Sequence, residues 1–426
     1  MMPEITLSRG LMGISPVIIF LLLYVVVSVA VGDFYRMPFS VALLCASVWA
    51  VATYKGKLTE RIEVFSRAAG HANIIYMIWI FILAGAFASI AKEIGAVNAT
   101  VDLILRLLPA GLIVPGIFAA ACFISLAVGT SVGTVVALTP LATEIAGASG
   151  GSTAFMVAVV LGGAFFGDNL SFISDTTIAA TRTQGCDMAD KFRANVWLAV
   201  PAALVTLAFY MIETPGFAVP DSGAPAQSVW LVLPYMIVIV TAIVRMNVNI
   251  VLSLGIAASL VIGIAQGYPM LDLCGFMGSG IDGMGGLIVI TLMSAGMLGV
   301  VKASGGITWL LQMLTARVKG TRGAQVCIAL LVSLVNLCTA NNTVAIITVG
   351  SLSKEIARRY GVSASKTASL LDTCSCIIQC LIPYGAQTLL ACSLSGLSPA
   401  EPFAYLYYPW ALAVMVIASI FCKTVK

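Results

Sequence analysis

The chain has 426 residues, of which 60% are hydrophobic and only 9% charged, and its mean hydropathy is +1.05. A soluble globule carries about 25% charged residues, so this composition excludes one and points to a polytopic membrane protein whose first partner is the lipid bilayer. The net charge of +4 is no nucleic-acid signal, because the basic residues lie in short loops instead of clustering.

In chain order, apolar stretches long enough to span run from Ile14 to Val31, Met37 to Val51 and Ile74 to Ala91. The first lacks the basic flank and small-residue cleavage site of a signal peptide. Gly56 to Ala72 mixes charges with apolar residues at helical spacing, the pattern of an interfacial helix. After an amphipathic piece, Val101 to Leu108, comes a long apolar stretch, residues 112–145, broken near Val128 to Thr134 by Gly and Thr. Periodicity fits a kinked span or a re-entrant hairpin equally, and a hairpin would have Thr130, Ser131 and Thr134 at its tip. Residues 154–180 follow and read as an unwound helix, then a span from Val196 to Ile212. Glu213 to Gln227, rich in Pro and Gly, is the clearest linker.

Beyond the linker the pattern returns. Spans at Val229 to Val244, Val248 to Ile264 and Leu287 to Val301 lead to an amphipathic piece around Ile307 to Leu314. A second broken stretch, residues 324–356, is interrupted at Cys338 to Thr343. A second polar-punctuated helix covers residues 367–394, and the last span runs from Phe403 to Cys422. The halves align at a constant offset of 211: Ala84-Gly85 falls on Ala295-Gly296, Thr130-Ser131 on Asn341-Asn342, and Thr176-Thr177 on Gln387-Thr388. We read residues 1–212 and 228–426 as two repeats joined by residues 213–227.

Charge decides their orientation. With both broken stretches re-entrant there are ten crossings, and only Arg36, Lys92 and Arg106 of the 22 Lys and Arg fall on one side. The other nineteen, Lys191 among them, fall on the opposite side. Full crossing by both stretches would divide them evenly. The positive-inside rule therefore selects inverted repeats with both termini in the cytoplasm. The expected fold is an all-α membrane protein of two inverted repeats, with about ten crossings, two re-entrant hairpins and two unwound helices, an architecture of secondary transporters.

The chemistry concentrates in Phe166 to Gly185, FGDNLSFISDTTIAATRTQG. An ionised Asp at bilayer depth costs about 2.5–3.5 kcal/mol, so Asp168 and Asp175 require a compensating partner, and a cation fits. Asp168, Asn169, Ser171, Ser174, Asp175 and Thr176, with Thr130 and Ser131 at the first hairpin tip, offer hard oxygen ligands suited to Na⁺. Thr339, Asn341, Asn342, Thr343, Asp372, Tyr384, Gln387 and Thr388 form a second polar set for another ion or a substrate. Of these, Asn341, Asn342, Tyr384 and Gln387 are the amide and hydroxyl groups that an ion at Asp175 does not need. The eleven cysteines include Cys374, Cys376, Cys380 and Cys392, whose apolar surroundings mark them as packing residues.

FGDNLSFISDTT resembles the signature of the NhaC-type Na⁺/H⁺ antiporter family, close to GDxxSPxSDTT, with Phe172 where that family commonly has proline. The resemblance implies roles for Asp168, Ser171, Ser174, Asp175, Thr176 and Thr177. The signature with ATRTQG is also similar to a shorter branch linked to amino-acid uptake, histidine in particular. More distantly, Asn341-Asn342-Thr343 resembles the hairpin tips of Na⁺-coupled dicarboxylate transporters, which implies a homodimer and an elevator motion. Two functions follow: Na⁺/H⁺ antiport by alternating access in the inner membrane, or Na⁺- or H⁺-coupled transport of a small amino acid or carboxylate. An enzyme is not expected, for want of any catalytic constellation. No cofactor is expected beyond the transported Na⁺ and H⁺.

Overall fold

The computed structural model describes residues 7–31, 38–107, 109–172, 174–213, 228–244, 246–315 and 318–421, so residues 214–227 of the expected linker lie outside the described residues. The first half forms α1 (Leu7–Val31), α2 (Phe39–Thr53), α3 (Leu58–Ala69), α4 (Ala72–Glu93), α5 (Ala96–Leu107), α6 (Ala110–Val128), α7 (Ser131–Ser149), α8 (Thr153–Leu170), α9 (Asp175–Gln184) and α10 (Met188–Glu213). The second forms α11 (Leu233–Ile243), α12 (Val248–Ala265), α13 (Met270–Gly283), α14 (Gly285–Ala303), α15 (Gly306–Thr315), α16 (Gly320–Thr339), α17 (Asn342–Tyr360), α18 (Ala364–Leu381), α19 (Ala386–Ser395) and α20 (Tyr407–Phe421). Among the described residues nine helical stretches are long and apolar enough to cross a membrane, or ten if α5 and α6, bent by 119°, count as one. This is an all-α multi-pass membrane protein.

The duplication is written into the element boundaries. Helices α7, α8 and α9 begin at 131, 153 and 175, and α17, α18 and α19 begin at 342, 364 and 386, each 211 residues later, with ends displaced equally. Punctuation repeats too. The first hairpin turns at Gly129 in left-handed backbone and the second at Ala340, while Gly150 and Gly361, then Gly185 and Gly396, end matching helices the same way. Ser152 accepts from Phe155 N at the start of α8, and Ser363 accepts from Lys366 N at the start of α18, both at 3.3 Å.

Helix α8 is the axis of the molecule. It is apolar on every face from Ala154 to Gly167, and every side chain from Ala154 to Leu170 that is not glycine is buried except Phe166. Helices α6, α7, α10 and α18 surround it. Gly167 lets α6 approach, since a Cβ there would run into Ser125. Around this central group, α1 to α4 and α11 to α14 form an outer frame in which the repeats exchange partners: α3 lies on α14, and α13 lies on α4. Sequence reading had no element at α13, the counterpart of α3, because its four glycines hide the helical pattern.

One basic side chain expected in a loop is buried in a helix instead. Lys191 lies in the first turn of α10 with a side chain 1% exposed. Removing it from the nineteen leaves the imbalance of basic residues intact.

Candidate functional site

Four helix N-termini, those of α7, α9, α17 and α19, face one cavity of about 480 Å³. Its lining includes Thr130, Ser131, Asp168, Asp175, Thr176, Asn341, Asn342, Thr343, Gln379 and Gln387. The two polar sets that the sequence separates by 211 residues thus meet across a single space.

The local chemistry explains the first break. Helix α8 stops at Leu170, and Ser174 restarts the chain as the N-cap of α9 by accepting from Thr177 N at 3.2 Å. Ser174 also donates to the Asp168 carbonyl at 2.9 Å, so one hydroxyl ties both half-helices. The Ser131 N–H, at the N-terminus of α7, donates to Asp168 Oδ1 at 3.0 Å. A carboxylate is favoured there because the exposed N–H groups of a helix start carry partial positive charge. Asp175 opens α9 and faces the same cavity.

The second half of the site is joined to the first. Gln387 donates from Nε2 to Ser131 Oγ at 3.0 Å and accepts at Oε1 from Gln379 Nε2 at 3.1 Å. Gln379 also donates to the Ala340 carbonyl at 3.0 Å. A chain of hydrogen bonds therefore runs from the tip of one hairpin to the tip of the other. At the 211 offset Asp168 corresponds to Gln379 and Asp175 to Ala386. Both carboxylates belong to the first repeat, and the second offers amides.

Other expected residues lie off the cavity. Asn169 turns its Nδ2 to the Phe165 carbonyl at 2.8 Å and to Tyr408 OH at 3.2 Å. Ser171 and Thr388 are buried. Thr339 and Tyr384 line a smaller neighbouring cavity of about 30 Å³ that shares Asn341 with the main one, and Tyr384 OH is taken by the Leu337 carbonyl at 2.7 Å. Asp372 pairs with Lys191 at 2.6 Å. Cys374, Cys376, Cys380 and Cys392 are buried free thiols. Sequence reasoning missed Gln379, Asn195 and Lys191. The 211 offset could have found Gln379, which stands where the first repeat has Asp168.

A Na⁺/H⁺ antiporter family profile matches residues 3–214 and 222–423. The Na⁺/H⁺ antiporter NhaC of Alkalihalophilus pseudofirmus is 26% identical over 66% of this chain and 67% of its own length. That of Bacillus subtilis is 25% identical over 86% and 88%. A malate-2H⁺/Na⁺-lactate antiporter of Bacillus subtilis is 33% identical over 23% of this chain and 22% of its own. With the profile covering both halves, the chain belongs to the Na⁺/H⁺ antiporter family, and it is a cation-coupled secondary transporter, not an enzyme.

Proposed function

We propose that Asp168 and Asp175 are the exchangeable ligands of Na⁺/H⁺ antiport, each binding either the cation or a proton as the cavity opens alternately to the two sides. The observation that carries this reading is their shared position on one cavity, where hairpin one meets the α8–α9 break. Ser131, Thr130 and Thr176 line the same region and supply neutral oxygens, while Ser174 shapes the break that presents the carboxylates. The imbalance of basic residues supports an inner-membrane orientation with both termini cytoplasmic. The frame of α1 to α4 and α11 to α14 around a central group that carries both carboxylates and both hairpin tips, with Tyr76, Met77 and Ile80 of α4 and Val248 of α12 closing the cavity from the frame, supports an elevator motion, with a homodimer to anchor the frame.

A second reading rests on the size and lining of the cavity. About 480 Å³ lies in the range of small-molecule sites, and its second-repeat wall carries Asn341, Asn342, Gln379 and Gln387. An amino acid or small carboxylate would find hydrogen-bond partners there. Gln387 is not independent of the ion half, since it holds Ser131, so Asn342→Ala is the cleaner probe of an organic solute.

One liposome experiment tests both. Purified protein should move protons in exchange for Na⁺ down an imposed Na⁺ gradient, and Asp175→Asn should lower that flux by at least about tenfold, the least that losing even an outer-shell partner of an ion ligand costs, while the protein stays monodisperse. Flux in Asp175→Asn at the wild-type rate would remove the carboxylate from the mechanism. Flux that requires an added amino acid or carboxylate, and is lost in Asn342→Ala, would favour the second reading.

A further inference from the structure

Behind the α8–α9 break lies a buried polar cluster, none of whose members lines the cavity. Lys191 brings Nζ to three oxygens: Asp372 Oδ2 at 2.6 Å, Thr177 Oγ1 at 2.6 Å and the Asn169 carbonyl at 2.8 Å. An ammonium has three N–H donors and no acceptor, so all three donors are engaged. One turn further along α10, Asn195 Nδ2 donates to the same two acceptors, the Asn169 carbonyl and Asp372 Oδ2, at 2.8 Å each. The Asn169 carbonyl lies in the last turn of α8, where a helix end leaves such groups without an intrahelical partner. A carboxylate, a hydroxyl and a freed carbonyl are also the donor set that a hard monovalent cation takes.

The cluster has no counterpart in the other repeat. At the 211 offset Lys191 corresponds to Pro402, Asn195 to Leu406 and Asp372 to Leu161. Symmetry is broken at the one place where the break carries two cavity carboxylates. A buried ion pair is seldom a source of stability compared with apolar packing, so its presence behind this break calls for another account.

We propose that Lys191 is a tethered cation, holding permanently the position that a second coupling ion would take behind the break. By gripping the Asn169 carbonyl and Thr177 Oγ1, one on each side of the break, it fixes the angle between α8 and α9 and hence the directions in which Asp168 and Asp175 enter the cavity. Lys191 is a positioning residue. It acts through the backbone next to Asp168 and through a hydroxyl two residues from Asp175. The proposal rests on the reading of those two carboxylates as the ion site.

The competing account is that Lys191 only neutralises Asp372. Two variants separate them. Lys191→Met with Asp372→Asn removes both charges together and leaves no orphaned buried charge. Thr177→Val keeps both charges and the side-chain shape, and removes the hydroxyl that Lys191 grips, which also accepts from Ser174 Oγ at 3.0 Å. Na⁺-dependent proton flux in liposomes is measured against Na⁺ concentration. For the double variant we expect a half-saturating Na⁺ concentration raised about tenfold with a maximal rate close to wild type, the size typical of losing a group that orients an ion ligand. For Thr177→Val, which removes one of the three contacts of Lys191, a smaller rise is expected, in the same direction and again without change in maximal rate. A wild-type half-saturating concentration in Thr177→Val overturns the proposal, whether or not the double variant folds. So does a folded double variant with wild-type Na⁺ dependence. Failure of the underlying reading looks different, since Asp175→Asn would then transport at the wild-type rate whatever the outcome at Lys191.

Discussion

The second hairpin turns through Ala340 at a φ of 48°, where the first turns through Gly129 at 73°. Left-handed backbone costs a residue with a Cβ about 1–2 kcal/mol, and the greater freedom of glycine in the unfolded chain offsets about 0.5–1 of that. Ala340→Gly is therefore expected to stabilise the protein by up to about 1 kcal/mol, read as a higher thermal unfolding midpoint in detergent. A lowered midpoint would show that the alanine methyl makes contacts worth more than the strain. At this scale the carboxylates were legible in the sequence, because a charge inside apolar sequence must have a partner or a task. The partner of Asp372 was not legible. Lys191 stands beside Asp187, Asp190 and Arg193 and looks like one more loop charge, and only the fold brings α10 against α18.

At the scale of elements, the two repeats are locked by exchange. Gly85 of α4 passes beneath α13, and its counterpart Gly296 of α14 passes beneath α3. The two contacts differ in what a side chain would meet. A Cβ on Gly85 runs into the backbone carbonyl of Gly280, while one on Gly296 meets the ring of Phe65, which can swing aside. Overpacking costs about 1–3 kcal/mol where nothing can move, and helix propensity returns about 0.5–1 on replacing Gly by Ala. Gly85→Ala is expected to lower the unfolding midpoint clearly and Gly296→Ala hardly at all. Equal losses would show that α3 is seated as rigidly as α13. The match of Ala84-Gly85 with Ala295-Gly296 was visible in the sequence, but its meaning was not. Helices in lipid are sorted by close contact at small residues, which leaves no hydrophobic stripe to read.

At the scale of the whole molecule, duplication was the most legible feature, because polar residues and turn glycines fix an offset that apolar sequence leaves free. Its orientation rests on charge, and this gives the most direct test. If the repeats are inverted, residues matched at the 211 offset face opposite sides of the membrane. Ser152 and Ser363 are such a pair, both exposed and each capping the helix that leads into a break. With both termini inside, hairpin one enters and leaves from outside, which puts Ser152 outside, and hairpin two does the reverse, which puts Ser363 in the cytoplasm. Losing either cap costs about 1 kcal/mol, which a protein of this size can bear. The test places a single cysteine at one site or the other after Cys45 and Cys274, the exposed native thiols among the described residues, are replaced by serine. A maleimide that cannot cross the membrane should label Ser152→Cys in intact cells and Ser363→Cys only once the cells are permeabilised. Labelling of both from the same side would make the repeats parallel. The four helix N-termini that meet at the cavity would then need another route to alternate exposure, because an inverted pair exchanges roles as the site moves and a parallel pair does not.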